Sequence, residues 1–380
     1  MITRELCLNL MPSYSFEEEY DICKIAFFDI ETTGLSAQSS YVYLIGCAYF
    51  RDGSFHLIQW FCEGINEEGL LIKSFFDFLK NFRLLIHFNG SGFDIPFIEE
   101  KIRLLGLDCG FGSIESLDIY KLIKPYRSIL NIKNLRLKSL ESFLQIRRKD
   151  TLDGEDLIGV YAAYIGKKRY ESLRQSRNPD YKPEMLESAL LLEQLLQHNE
   201  DDIRGLMQIS SVLNYPALFE RPVRIMNAKT EGDRFIIDFE IPVRLPMPVS
   251  FGDDLAFVSA SESIATLSVL VYEGELKHFY ENYRDYYYLP AEDCAIHRSV
   301  AVFVDKKYRI KAKPGNCYTR KQGLFAPQYD KWLSPYFMQN YQDKLTFVEI
   351  HTDSLLQEER LELYVRHMLR HMLVSAQRAH

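Results

Sequence analysis

Asp29-Ile30-Glu31-Thr32-Thr33-Gly34-Leu35 decides the fold of this 380-residue chain. It ends the apolar run Ile25-Ala26-Phe27-Phe28, whose composition predicts a strand. Strand side chains alternate between faces, so Asp29 and Glu31 point the same way, sharing a face with Ile25 and Phe27. Ala26, Phe28 and Ile30 take the other face, and two apolar faces suit a central strand covered by helices. Neighbouring carboxylates repel each other unless a cation lies between them, and hard oxygen donors suit Mg²⁺ or Mn²⁺. Taken alone, the same residues also describe a solvated strand end running into a Thr-Gly turn.

Two later segments supply matching chemistry. A second apolar run, 84–88, is followed by Asn89-Gly90-Ser91-Gly92-Phe93-Asp94, another acid at the end of another strand with small residues beside it. A helical pattern over about 184–213 carries His198-Asn199-Glu200-Asp201-Asp202. Residues four apart share a helix face, so His198 and Asp202 project together, and Asp201, three from His198, is a rival. Asp29, Glu31, Asp94 and Asp202 with His198 would compose a two-metal hydrolytic site.

D-x-E-T-T-G-L, then N-x-x-x-F-D, then H-N-x-x-D resembles the three exonuclease motifs of the DEDD (DnaQ-like) nucleases, and within them the YprB-like group of RNase H-like proteins. The resemblance covers about residues 20–215. It implies an α/β fold with an RNase H-like mixed sheet flanked by helices. It also implies a 3′→5′ exonuclease acting on single-stranded DNA or RNA, with Asp29, Glu31, Asp94 and Asp202 holding two divalent ions, Mg²⁺ or Mn²⁺. One ion would activate water and the other would stabilise the leaving oxygen. His198 would accept the proton of the attacking water, a role suited to imidazole near neutral pH. Thr32, Thr33 and Leu35 would hold the terminal nucleotide, and Asn89 would orient Asp94 or touch the substrate backbone. The third motif departs from the family: the histidine form places its aspartate five positions on, whereas Asp202 lies four from His198, the spacing of the tyrosine form. That spacing favours Asp202 over Asp201 as the ligand. Asp118, in Ser116-Leu117-Asp118-Ile119, resembles a D-[LI] element between motifs two and three, and is expected to be a helix N-cap. Two other functions keep the same fold: a catalytically silent nucleic-acid-binding scaffold, and a structure-selective endonuclease.

The expected order is strands at about 24–30, 42–50 and 55–61, a helix at 67–82, a strand at 84–88 and a helix at 95–105. Helices at 118–123, 135–145 and 156–165 precede the long motif-three helix. Residues 174–183 read as a polar loop. Past residue 215 the composition turns to alternating Val, Ile, Phe and Tyr. The expected division is therefore an N-terminal extension over 1–20, the nuclease-like domain over 21–215, and a β-rich (α+β) C-terminal domain over 216–380. A final helix to about residue 374 would be capped by Thr352 or Asp353.

With 47% hydrophobic residues the chain can fill two cores. No apolar run is long enough to cross a bilayer, and residues 1–20 do not read as a signal peptide, so no membrane partner is expected. Seven cysteines without a C-x-x-C pair argue against a disulfide framework and for a reducing, cytoplasmic location. The net charge is −8, yet basic residues cluster twice. Residues 121–149 hold nine lysines and arginines against Glu141 alone, either an arm that tracks a phosphate backbone or a pair of solvated helix faces. Residues 306–314 interleave Arg309, Lys311 and Lys313 with Tyr308 on an expected strand, suited to single-stranded nucleic acid or to a guarded sheet edge. Asp293 and His297, four apart, read as surface chemistry.

Overall fold

The structure is a computed structural model and describes residues 1–149, 152, 154–178, 186–351 and 354–378. The chain divides into two compact units, Met1–Arg127 with Asn131–Leu213, and Asn214–His380 with Ser128–Leu130.

The first unit is built on a six-stranded mixed sheet of β1 (Ile2–Cys7), β2 (Ile25–Thr32), β3 (Val42–Arg51), β4 (Ser54–Phe61), β5 (Leu84–His87) and β6 (Glu115–Asp118), in the order β1-β4-β3-β2-β5-β6. β2, β3 and β4 form an antiparallel meander, while β5 and β6 lie parallel to β2. The parallel pairs need crossovers, supplied by α1 (Glu68–Leu79) and α2 (Asp94–Leu105). α1 buries Leu71, Ile72, Phe75, Phe76 and Leu79, one stripe at helical spacing. α2 ends at Gly106, whose left-handed conformation (φ 62°) closes the last turn, with the Leu107 N–H donating to the Ile102 carbonyl.

Short helices α3 (Ile119–Ile123), α4 (Arg127–Leu130) and α5 (Leu137–Phe143) lead to α6 (Gly154–Arg177) and α7 (Glu187–Ile209). α6 runs through the start of the segment read as a loop over 174–183, and the last five residues of that segment lie outside the described residues. The segment 1–20, read as an extension, supplies β1, which pairs antiparallel with β4 and forms the sheet edge. The core of this unit joins Phe28, Tyr43, Phe61, Phe75, Tyr161 and Leu195.

The second unit is β-rich, as expected. After α8 (Ala217–Glu220) come β7 (Arg224–Glu231), β8 (Arg234–Glu240), β9 (Val249–Gly252), β10 (Ala256–Ser261) and β11 (Ile264–Leu270), in sheet order β7-β8-β11-β10-β9. β8 and β10 alternate buried with more exposed residues, the period-two pattern of a sheet with one covered face. β12 (Tyr272–Phe279), β13 (Tyr286–Leu289), β14 (Cys294–His297), β15 (Ile310–Lys311), β16 (Tyr318–Tyr329) and β17 (Leu345–Glu349) make two three-stranded sheets, β12-β16-β17 and β14-β13-β15, with the short helix α9 (Arg298–Ala301) between β14 and β15. The strand expected over 306–314 is only the two-residue β15, preceded by a single 3₁₀ turn at Lys306–Tyr308. α10 (Glu358–Arg378) closes the chain, and its proposed caps Thr352 and Asp353 lie outside the described residues.

Candidate active site

β2 carries Asp29 and Glu31 on the face covered by α7. The register aligns Asp29 with Gly46 of β3, and Gly46 with Gln59 of β4. Asn199 of α7 lies over that row. Its Nδ2 donates to Asp29 Oδ2 at 3.1 Å, and its Oδ1 accepts from Gln59 Nε2 at 2.9 Å. Gln59 Nε2 also donates to the Leu196 carbonyl at 2.9 Å. Glycine at position 46 is a steric requirement, because a Cβ there would overlap the Asn199 amide oxygen. Asn199, Gln59 and Gly46 were not picked out from the sequence. A glycine inside an otherwise bulky strand was the available signal for a close approach.

His198 and Asp202 share one face of α7, with His198 Nε2 3.4 Å from Asp202 Oδ2 and 3.8 Å from Glu31 Oε1. Glu31, His198 and Asp202 each offer a ligand atom within 4.8 Å of the others, a grouping that could hold a metal ion. Asp201 turns away: its carboxylate accepts from the Lys149 N–H at 2.8 Å and from Gln197 Nε2 at 2.8 Å. Asp94 is the first residue of α2, where the orphan N–H groups of the helix favour an anion. Hydrogen bonds from the backbone of Asp94 itself and of Ile30 hold its carboxylate.

The charges of this cluster act on one another. Burial, then the charges of Asp202, Glu31 and Asp94, push the Asp29 carboxyl well above its ordinary range, against the lowering effect of Asn199. Burial above all raises Glu31 to about 8 and Asp94 to about 7. For Asp202 burial acts upward, but the His198 hydrogen bond and the Arg148 charge outweigh it and hold the carboxyl low. Among the described residues the buried Glu31 Oε1 has no hydrogen-bond partner. A buried carboxyl oxygen without a donor, inside a set of acids that disfavour one another's charge, fits a divalent cation that would displace the proton.

Arg148 brings an unexpected cation to the site. Its guanidinium pairs with Asp202 and, at 3.0 Å, with Glu141 of α5. Burial alone would ease its proton off, but Asp202 and Glu141 outweigh that and hold it charged. Glu141 is itself buried, and Gly205 of α7 leaves the space that its carboxylate fills. One member of the basic segment 121–149 is thus an internal counter-charge rather than a phosphate contact. Two others are tied to backbone carbonyls: Arg127 to that of Lys133 at 2.7 Å, and Lys138 to that of Leu152 at 2.5 Å.

Asp118 does cap α3, accepting from the Lys121 N–H at 3.4 Å, but most of its bonds run elsewhere. It accepts from the Asn89 N–H at 2.9 Å, from the Ser91 N–H at 3.3 Å and from the Ser91 hydroxyl. The buried His87 contacts Ser116 Oγ at 2.7 Å and accepts from the Gly90 N–H at 3.1 Å. Burial pushes its imidazole down to about 4, so it sits neutral. This network fixes the turn, with Asn89 at φ 60°, that delivers Asp94. Of the residues expected to hold a nucleotide, Leu35 is 87% exposed. The Thr32 hydroxyl donates to the Gly34 carbonyl at 2.8 Å, and Thr33 Oγ1 accepts from the Tyr41 N–H at 3.0 Å, so both shape the turn that carries Leu35.

The family model of the RNase H superfamily matches residues 26–214, and the mixed sheet with its flanking helices is RNase H-like. No curated protein matches the sequence. Among solved structures the chain is similar to the family B DNA polymerase of Pyrobaculum calidifontis, at 13% identity and a TM-score of 0.32, covering 69% of this chain and 35% of that one. It is also similar to the exonuclease I of Methylocaldum szegediense, at 12% identity and a TM-score of 0.29, covering 60% and 54%. E. coli exonuclease I in complex with a dA16 oligonucleotide matches at 10% identity and a TM-score of 0.27, covering 58% and 55%. The chain thus spans about a third to just over half the length of these structures.

Proposed function

We propose that the protein is a metal-dependent nuclease that removes nucleotides from the 3′ end of single-stranded DNA or RNA in the cytoplasm. The observation that carries this reading is the convergence of Glu31, His198 and Asp202, whose ligand atoms lie within 4.8 Å of one another, with Glu31 Oε1 buried and without a hydrogen-bond donor among the described residues. Asp29, Glu31, Asp94 and Asp202 would hold two divalent ions, Mg²⁺ or Mn²⁺, which when bound supply charge neutralisation and water activation for phosphodiester hydrolysis.

The chain's own residues do the rest. His198 Nε2, set between Glu31 and Asp202, accepts the proton of the attacking water, and the two carboxylates stabilise the imidazolium that forms. Asn199, held by Gln59, fixes which oxygen of Asp29 faces the site. The exposed Leu35 packs against the terminal sugar or base, while Thr32 and Thr33 set the turn beneath it. The backbone of Asn89 keeps Asp94 at the helix start.

The test is a degradation assay on 5′- and 3′-labelled single strands of DNA and RNA with Mn²⁺, Mg²⁺ or EDTA. A ladder from the 5′-labelled strand, lost with EDTA, is the expected result. Internal cuts would make the protein an endonuclease, and intact strands under every condition would leave the binding scaffold.

A further inference from the structure

We infer that the small β14-β13-β15 sheet of the second unit, with α9 and the turn that follows it, is a binding face for single-stranded nucleic acid. The inference rests on the nucleic-acid reading of the first unit for its choice of ligand; its other grounds lie in the second unit alone.

The charge is local and one-sided. Residues 298–313 carry six basic side chains against the single acid Asp305, in a chain whose formal net charge is −8. Asp305 is occupied in capping the turn at Lys307 and lies 3.9 Å from the Lys307 ammonium. Arg298 is paired with Asp285 at 3.2 Å. Lys306, Lys311 and Lys313 enter no ion pair among the described residues. Three exposed lysines without a counter-charge among the described residues are open to a polyanion.

Aromatic rings lie among these charges. Lys311 pairs across the strands with Tyr287, and the Arg309 guanidinium lies 4.9 Å from the Tyr287 ring centroid. Arg309 also donates to the Ala301 carbonyl, which ties this face to the end of α9. Just beyond that end Phe303 is 88% exposed, and the exposed Tyr308 has the Lys307 ammonium 4.7 Å from its ring centroid. Extended backbone on either side of the two-residue β15 carries Arg309, Lys311 and Lys313 at alternate positions, roughly 6.6 Å apart, a repeat a flexible phosphate chain can follow. Rings beside cations give bases a stacking surface while the cations hold the backbone. A protein partner fits less well, because lysine is depleted from the cores of protein interfaces.

The experiment uses the full chain in EDTA, where no cleavage occurs, and measures fluorescence anisotropy of labelled dT20 and U20 strands between 50 and 200 mM salt. Lys311→Glu with Lys313→Glu is expected to weaken binding tenfold or more and to flatten the log–log salt slope by roughly 1.4, about 0.7 for each lost phosphate contact. Phe303→Ala with Tyr308→Ala is expected to weaken binding roughly fivefold or more at an unchanged salt slope. All four side chains are exposed, so unchanged melting temperatures confirm that the variants fold. Both variants should hydrolyse bis(p-nitrophenyl) phosphate with Mn²⁺ at the wild-type rate. Wild-type strand affinity in both variants overturns the inference and leaves the nuclease reading standing. Weakened binding in a protein that hydrolyses no phosphodiester overturns the nuclease reading and leaves the binding face standing.

Discussion

Asn199 Nδ2 donates to Asp29 Oδ2 at 3.1 Å through the space that Gly46 leaves open. The amide is clamped from behind by Gln59, so the first acid of the site is oriented by two fully buried side chains, Asn199 and Gln59. Outer partners of this kind fix ligand geometry and commonly govern activity by 10–100-fold. Asn199→Ala should therefore lower turnover by roughly that factor, and Gly46→Ala should do the same by driving the amide off its position. Steady-state rates with Mn²⁺ check both; wild-type rates in Asn199→Ala would remove the clamp from the account.

Asp29→Asn should abolish hydrolysis without unfolding the chain, because it removes one of several buried, mutually repelling charges. A strand-degradation assay beside a thermal melt separates the two effects, and unchanged turnover would sink the assignment. His198→Ala should slow cleavage strongly while leaving Mn²⁺ binding, followed by calorimetry, largely intact; full activity would remove His198 from the mechanism.

Stability without metal should fall as pH rises. Glu31 moves from an ordinary 4.5 to about 8 and Asp94 from 3.8 to about 7, so the folded chain holds protons that the unfolded chain has released. Their stabilising contribution is complete below about pH 4 and is lost through pH 7 to 8. Asp202 is shifted the other way, and its contribution is lost only as pH falls below its ordinary 3.8. Melting temperatures in EDTA should thus decline from pH 5 to pH 8.5, and Mn²⁺ should raise them most at the alkaline end. A metal-free melting temperature that climbs across this range would contradict the burial of these acids.

Arg148→Met should destabilise the metal-free protein by roughly 3 kcal/mol, because it strands the charges of Glu141 and Asp202. Adding Glu141→Gln should recover part of the loss, and Mn²⁺ another part by offsetting Asp202. Urea unfolding of the three proteins, with and without metal, measures each contribution. An additive double mutant would show that the two side chains are energetically independent.

Local periodicity determined much of this protein by itself. Two-residue alternation put Asp29 and Glu31 on one face of a central strand. The 3.6-residue period put His198 and Asp202 on one face of α7, and an apolar run ending in small residues put Asp94 at a strand-to-helix turn. Alternation also marked the second unit as β-rich. The tertiary structure decided what lies far apart in sequence. Arg148 reads as one more member of a basic run until folding sets it against Asp202, 54 positions away. Asn199 acquires a role only when the register brings Asp29, Gly46 and Gln59 into one row. β1 joins the sheet only because β4 offers it an edge. Periodicity fixes which way a side chain points from its own element. Which elements meet, and in what register, depends on burying whole faces together, and no short stretch of sequence carries that information.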